Sequence, residues 1–435
     1  MLLTPYNGHN LGDAAIQYAV IANVRRRRPD AEIRMVTLRP EVTTALHGVR
    51  SFPITGFALP NYSSGGKASR RSGGKGPVAP DAPSFGDRVR MAAKHLPFEA
   101  ALKRVYRGLA AVVRSPWSLL EEGLHLVRAM HFMRGVNLLL VSGGGQLDDY
   151  WGGAWGHPYA LVKWGLLGRA VRARMVFLGV GTCVIESRLS RLFIHGALRL
   201  ATSRSYRDQE SKELLRRYRF THQDAVCPDL AFSYVPDERL GSVDPPRDRE
   251  VGVSPIAYLS RHGWPRQDVP VYERYLGVMV QFVAELVRRG SRIALFTTER
   301  LDWNTAAALA DGLEKELGPA LLERIRRAQV DTVDDLVREL SGVGHVVASR
   351  LHGVLLSQLL GIPVLAVSYD RKVDTHMADM GMRDYCMDIH AVAPEPLLAA
   401  FEGLVRDTDL VRARLKEQCA RNAAALSSQY DLSLA

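Results

Sequence analysis

The run from Val346 to Tyr369 constrains the fold more than any other part of the chain. It reads Val-Val-Ala-Ser-Arg-Leu-His-Gly-Val-Leu-Leu-Ser-Gln-Leu-Leu-Gly-Ile-Pro-Val-Leu-Ala-Val-Ser-Tyr. Short apolar runs at Val346–Ala348 and Pro363–Val367 predict two buried strands. The apolar stretch Val354–Leu360 between them predicts a helix, ended by Gly361 and Pro363. Strand, helix and strand in that order build a parallel sheet. Arg350 and His352 then fall where a strand ends and a helix begins, the edge at which open parallel sheets bind ligands. A helix N-terminus adds free N–H groups and a partial positive charge, which suit a phosphate.

The same alternation recurs twice. In the first half, strands are predicted at Leu2–Thr4, Glu32–Leu38, Asn137–Ser142, Arg174–Val180, Ser203–Arg207 and Asp224–Cys227. The loop Tyr6–Asp13 leads to a first helix from Ala14 to about Arg28. In the second half, strands are predicted at Val251–Ser254, Arg292–Thr297, Ile325–Val330, Val346–Ser349, Pro363–Val367 and Tyr385–Asp388. Helices such as Val271–Arg289 and Thr305–Leu317 separate them. The expected class is α/β, with two Rossmann-like doubly wound domains facing a cleft. Residues 1–238 form the first domain and 251–410 the second, with Arg239–Glu250 as a charged, proline-containing linker. Residues 411–435 are a helical tail within an amphipathic stretch over about Pro396–Leu426.

A chain of 435 residues can bury two such cores. No apolar run approaches the roughly 20 residues needed to cross a bilayer, and no signal peptide is read at the N-terminus. Cys183, Cys227, Cys386 and Cys419 show no metal-ligand spacing, and buried thiols are expected at Cys183 and Cys227. The cytoplasm is the expected compartment. The net charge of +11 is concentrated: Asn61–Arg134 holds thirteen Lys or Arg against five Asp or Glu. Within that segment, residues 61–86 are low in complexity, and 98–114 read as a basic amphipathic helix. Such a helix fits peripheral contact with an anionic membrane at its inner face, or a solvated charged face. No nucleic-acid reader motif accompanies it, so no nucleic acid is expected.

Several strand ends carry chemistry. Asn10-Leu-Gly-Asp13 follows the first strand; Gly12 permits close backbone approach, and Asp13 either caps the first helix or faces the cleft. Gly143-Gly-Gly145 follows a central strand and lets a ligand approach the backbone. It is neither G-x-G-x-x-G nor a Walker motif. Asp148-Asp149 lacks a third partner for a metal. Tyr150, Trp151, Trp155, Tyr159 and Trp164 either stack on sugars or pack a wall. Ser205-Tyr-Arg-Asp208 and Tyr369-Asp-Arg-Lys372 bring Arg207 and Lys372 to strand ends. Together with Arg350 these cations favour an anionic substrate.

Asn10-Leu-Gly-Asp13, Val141-Ser-Gly-Gly-Gly145, Ser205-Tyr-Arg-Asp208, Ser349-Arg-Leu-His-Gly353 and Tyr369-Asp-Arg-Lys372, in that order, make the chain resemble the polysaccharide pyruvyl transferase family over almost its whole length. The resemblance implies a glycosyltransferase-B-type fold and transfer of pyruvate from phosphoenolpyruvate to a sugar as a cyclic ketal. It assigns Arg350, His352 and Arg207 to phosphoenolpyruvate. The candidate set is then His352 and Asp13 as catalytic groups. Arg350, Arg207, Lys372, Leu351, Asn10, Gly12, Gly143, Gly144, Gly145 and Tyr369 line the substrate. No metal or cofactor is expected beyond phosphoenolpyruvate as co-substrate. The partner is a sugar or lipid-linked oligosaccharide acceptor for an exopolysaccharide or surface glycan. A glycosyltransferase using a nucleotide sugar is the other enzymatic reading, and a membrane-surface scaffold the non-enzymatic one.

Overall fold

The computed structural model describes residues 1–57, 117–149, 152–236, 247–261, 264 and 267–435. The low-complexity segment 61–86, the 98–114 helix, Tyr150 and Trp151 lie outside these residues.

Two parallel sheets form. The first contains β1 (Leu2–Leu3), β2 (Arg34–Thr37), β3 (Arg50–Pro53), β4 (Leu138–Ser142), β5 (Gly145–Leu147), β6 (Arg174–Thr182), β7 (Ser203–Tyr206) and β8 (Ala225–Val226). Their order is β3-β2-β1-β4-β6-β7-β8, with β5 pairing to β6. The second contains β9 (Arg247–Ser254), β10 (Arg292–Leu295), β11 (Ile325–Arg327), β12 (Val343–Ala348), β13 (Val364–Ser368) and β14 (Cys386–Asp388). Its order is β11-β10-β9-β12-β13-β14. The central strands read as continuous apolar runs because helices cover both faces: β12 and β13 are buried at every position.

In each sheet the order reverses beside the first strand, between β1 and β4 and between β9 and β12. Connections leave these neighbours toward opposite faces and open a crevice at their carboxyl ends. Asn10 and Gly143 stand at the first crevice, Arg350 and His352 at the second.

Five helices matter for the site: α1 (Leu11–Arg27), α2 (Leu351–Leu359), α3 (Arg371–Asp379), α4 (Pro394–Arg406) and α5 (Thr408–Leu434). Three local expectations are corrected. α1 begins at Leu11 rather than Ala14, because Asn10 caps it: its Oδ1 accepts from the N–H of Gly12 at 2.9 Å and of Asp13 at 3.2 Å. The expected linker is shorter, because Arg247–Glu250 already belong to β9. The C-terminal stretch is two helices, and α5 returns to the first domain. There Arg27 bonds Asp431 at 2.6 Å and Arg28 bonds the Leu434 carbonyl at 2.7 Å. Tyr430 is fully buried, with Arg27 over its ring and Ser233 Oγ at 3.2 Å from its hydroxyl.

This docking gives a direct test. Tyr430→Ala removes a buried ring and is expected to lower the unfolding free energy by about 3–5 kcal/mol, read by urea denaturation. A change within about 0.5 kcal/mol, the range of an ordinary surface substitution, would show that α5 does not anchor the first domain.

Candidate active site

His352 sits in the first turn of α2, and its ring fills the space over Gly12 at the start of α1. A Cβ on Gly12 would lie 2.0 Å from His352 Cγ and Nδ1, so only glycine fits. The contact joins the two domains, and backbone bonds hold it in register. Asn10 bridges Glu299 antiparallel, and the Leu11 N–H donates to the Thr298 carbonyl at 3.0 Å. Thus Gly12, expected to admit substrate, admits His352.

The other ring nitrogen, Nε2, lies 3.9 Å from Asp229 Oδ2. Both atoms are buried without a hydrogen-bond partner, a state that costs about 1–3 kcal/mol per group. Asp229 Oδ1 is engaged by the Ala231 N–H at 3.0 Å, which fixes the carboxylate. Asp229 Oδ2 also lies 3.6 Å from Arg207 Nη1. The Arg207 guanidinium covers Gly181, where a Cβ would come within 2.8 Å of Nη2. Gly181 in turn donates to the Gly144 carbonyl at 2.8 Å. Gly143 and Gly144 turn with φ of +55° and +66°, which side chains rarely adopt. That turn brings Gly144 beside Asp13: its Cβ position is 3.4 Å from Asp13 Oδ1. Gly143 packs on Ile16 instead.

Lys372 stands near the same space, its Nζ 3.6 Å from Asp370 Oδ2 and 5.2 Å from the Tyr369 ring centre. Arg350 is one step away. Its Nε and Nη2 grip Asp302 at 2.8 and 2.9 Å, and Trp264 lies under its guanidinium. Asp302 has no solvent exposure and also accepts from the Ala257 N–H at 2.8 Å. Two of the three guanidinium nitrogens are therefore committed, and among the described residues Nη1 has no hydrogen-bond partner. The Leu351 side chain, expected to line the substrate, packs in the core instead.

Burial dominates the proton equilibria. It pulls the His352 imidazole below its ordinary value, against Asp229 and Asp13, so His352 is neutral at pH 7. It pushes the Asp13 carboxyl up, opposed chiefly by His352. For Arg207 burial opposes the charge, but Asp229 and Asp208 outweigh it and raise the pKa. Tyr369 and Asp370 do the same for Lys372.

Asp229, Asp302 and His376 were not among the sequence candidates. His376 lies on α3, bonds Gln358 through Nε2 at 2.7 Å and stacks on Phe232; burial lowers its pKa to about 4. Some candidates leave the site. Trp164 is fully buried and donates to the Ile54 carbonyl, so it packs the core. Asp149 accepts from the N–H groups of Glu186 and Ser187. Cys183, expected to be buried, is exposed, whereas Cys227 is buried.

Two doubly wound domains meeting at their switch points define a glycosyltransferase-B-type fold with a cation-lined cleft. Solved structures share it. The spinosyn rhamnosyltransferase SpnG is 14% identical, with TM-score 0.51 over 99% of both chains. Anabaena Alr3699/HepE, in complex with UDP-glucose, is 11% identical, with TM-score 0.53 over 100% of this chain and 98% of that one. The UDP-GlcNAc 2-epimerase from Methanocaldococcus jannaschii is 10% identical, with TM-score 0.50 over 93% and 91%. These likenesses establish the fold alone. No curated protein matches the chain. The family model "Polysaccharide pyruvyl transferase" matches residues 10–371. The chain belongs to that family and is a transferase.

Glu299, beside Asn10, gives a pH test. Burial raises its carboxyl pKa to about 7, with Arg350 opposing. A raised acid stabilises the fold below its unfolded value near 4.5, and that stability is lost as pH rises through 7. Relative to Glu299→Gln, the wild type is expected to lose about 3 kcal/mol between pH 4 and pH 8. Parallel denaturant titrations would show it, and parallel profiles would refute it.

Proposed function

We propose that the protein transfers pyruvate from phosphoenolpyruvate to a sugar, forming a cyclic ketal and releasing phosphate. The observation that carries this reading is the neutral, unpartnered His352 Nε2 facing the space that Arg207 and Lys372 electrify. Arg207, Lys372 and the free Nη1 of Arg350 hold the phosphate and carboxylate of the donor. A proton is added to C3 of the enol, and C2 becomes cationic. One sugar hydroxyl adds at C2 and loses its proton. A second hydroxyl of the same sugar then displaces phosphate from C2 and closes the ring. His352 is the group that trades protons in these steps, since imidazole changes charge near neutral pH. Asp13, with its raised pKa, assists at the acceptor hydroxyl.

A nucleotide-sugar glycosyltransferase is the second reading, favoured by the presence of UDP-glucose in Anabaena Alr3699/HepE. The same architecture hosts different chemistries, so the site has to decide. Two features of the site favour the smaller anion: the short reach between Arg207 and His352 across Asp229, and the Arg-Leu-His order itself.

Thermal melting separates the two, because a ligand bound only by the folded state raises the midpoint. Phosphoenolpyruvate is expected to raise it, with UDP-glucose inert, and Arg350→Ala is expected to abolish the shift. A shift with UDP-glucose alone would overturn the pyruvyl reading.

A further inference from the structure

Next to the cation-lined space lies a cavity of about 130 Å³, walled by both domains. His9 comes from the first domain, and Thr298, Glu299, Arg300, Trp303 and Asp331 from the second. Its size is a little below the roughly 150 Å³ cavity that admits benzene, and it opens to solvent, so it can seat part of one sugar ring while the rest projects outward. Glu299 is only 9% exposed. Among the described residues no side-chain donor reaches its carboxylate, and the Arg300 N–H donates to the His9 carbonyl at 3.4 Å. A carboxyl group facing a cavity with no side-chain donor on it suits a ligand that donates.

We propose that this cavity binds a neutral pyranose ring of the acceptor glycan, a subsite that rests on the transferase reading. The chemistry of the walls selects that class. Glu299 and Asp331 offer oxygens to sugar hydroxyls, and Arg300 lines the cavity beside them. Trp303, 44% exposed and backed by the Arg300 guanidinium at 4.8 Å, offers an apolar ring face to the C–H side of a sugar. His9 Nε2 meets Arg39 Nη1 at 2.9 Å. Arginine only donates, so this nitrogen accepts and the proton of the neutral ring sits on Nδ1, a donor for a sugar oxygen.

Arg207 and Lys372 gather near His352, while the cavity mixes the acids Glu299 and Asp331 with Arg300. Arg350 lies at the boundary: its charge is the largest influence opposing the burial of Glu299. A sugar seated at Glu299 then lies beside a donor seated at Arg350, the adjacency that group transfer needs.

Saturation-transfer NMR tests this on the full-length protein. The probes are the methyl pyranosides of glucose, galactose, mannose and N-acetylglucosamine, with UDP and glycerol as controls. At least one pyranoside is expected to receive saturation at its ring protons, and Trp303→Ala and Glu299→Gln each to weaken it several-fold. Trp303 is a half-exposed side chain, so its variant keeps the fold, which the melting midpoint verifies. Three outcomes overturn the subsite: no transfer to any pyranoside, transfer unchanged in both variants, or transfer to UDP that Trp303→Ala abolishes. The phosphoenolpyruvate melting shift, measured on the same samples, keeps the two claims apart. A shift without pyranoside binding removes the subsite and leaves the transferase reading; binding without a shift does the reverse.

Discussion

The structure depends on one contact, the imidazole of His352 seated on the bare backbone of Gly12. It places a residue of the second domain in the first turn of a helix of the first. Any side chain at position 12 would displace it. The Asn10–Glu299 bridge and the Leu11-to-Thr298 bond lock the neighbouring backbone, so the ring cannot slide along α1. Because Asn10 also caps α1, one short loop starts the helix, joins the domains and positions the candidate acid/base. The site is therefore assembled only when both domains fold and meet.

Charge is arranged around that contact in layers. Arg350 is spent largely on Asp302, a bidentate pair buried against Trp264. Breaking such a pair from one side leaves a buried charge uncompensated, which costs far more than the pair contributes. Arg350 thus resembles a fixed wall with one edge turned to the ligand. Arg207 and Lys372 are held at longer range, Arg207 at 3.3 Å from Asp208 and 3.6 Å from Asp229 and Lys372 at 3.6 Å from Asp370, and retain more of their field for an anion. His352 stays neutral among them because burial outweighs the two carboxylates. An arriving dianion reverses that balance and favours the protonated ring.

The fold was legible wherever the signal is local. Valine-rich runs such as Val346–Ala348 mark central parallel strands, and Gly361 with Pro363 marks a helix stop. The Arg350 and His352 positions follow from those boundaries alone. Partners distant in sequence were not legible. Nothing near Asp229 or Asp302 announces that they face His352 and Arg350, from 123 and 48 positions away. The same holds for Glu299, whose importance comes from a bridge to Asn10. Trp164 takes the packing reading of the two the sequence allowed, because an aromatic side chain reads alike whether it packs or stacks on a sugar. The start of α1 was misplaced by three residues because Asn and Asp cap helices equally well, and only geometry chooses between Asn10 and Asp13.

The most direct test of the account is the protonation state of His352, followed by 15N NMR of the histidine side chains and assigned by comparison with His352→Gln. Near pH 7 the free protein is expected to show a neutral His352 ring, and saturating phosphoenolpyruvate to shift it toward the protonated form. A His352 signal that does not respond to phosphoenolpyruvate would contradict the claim that the donor occupies the space between His352, Arg207 and Lys372.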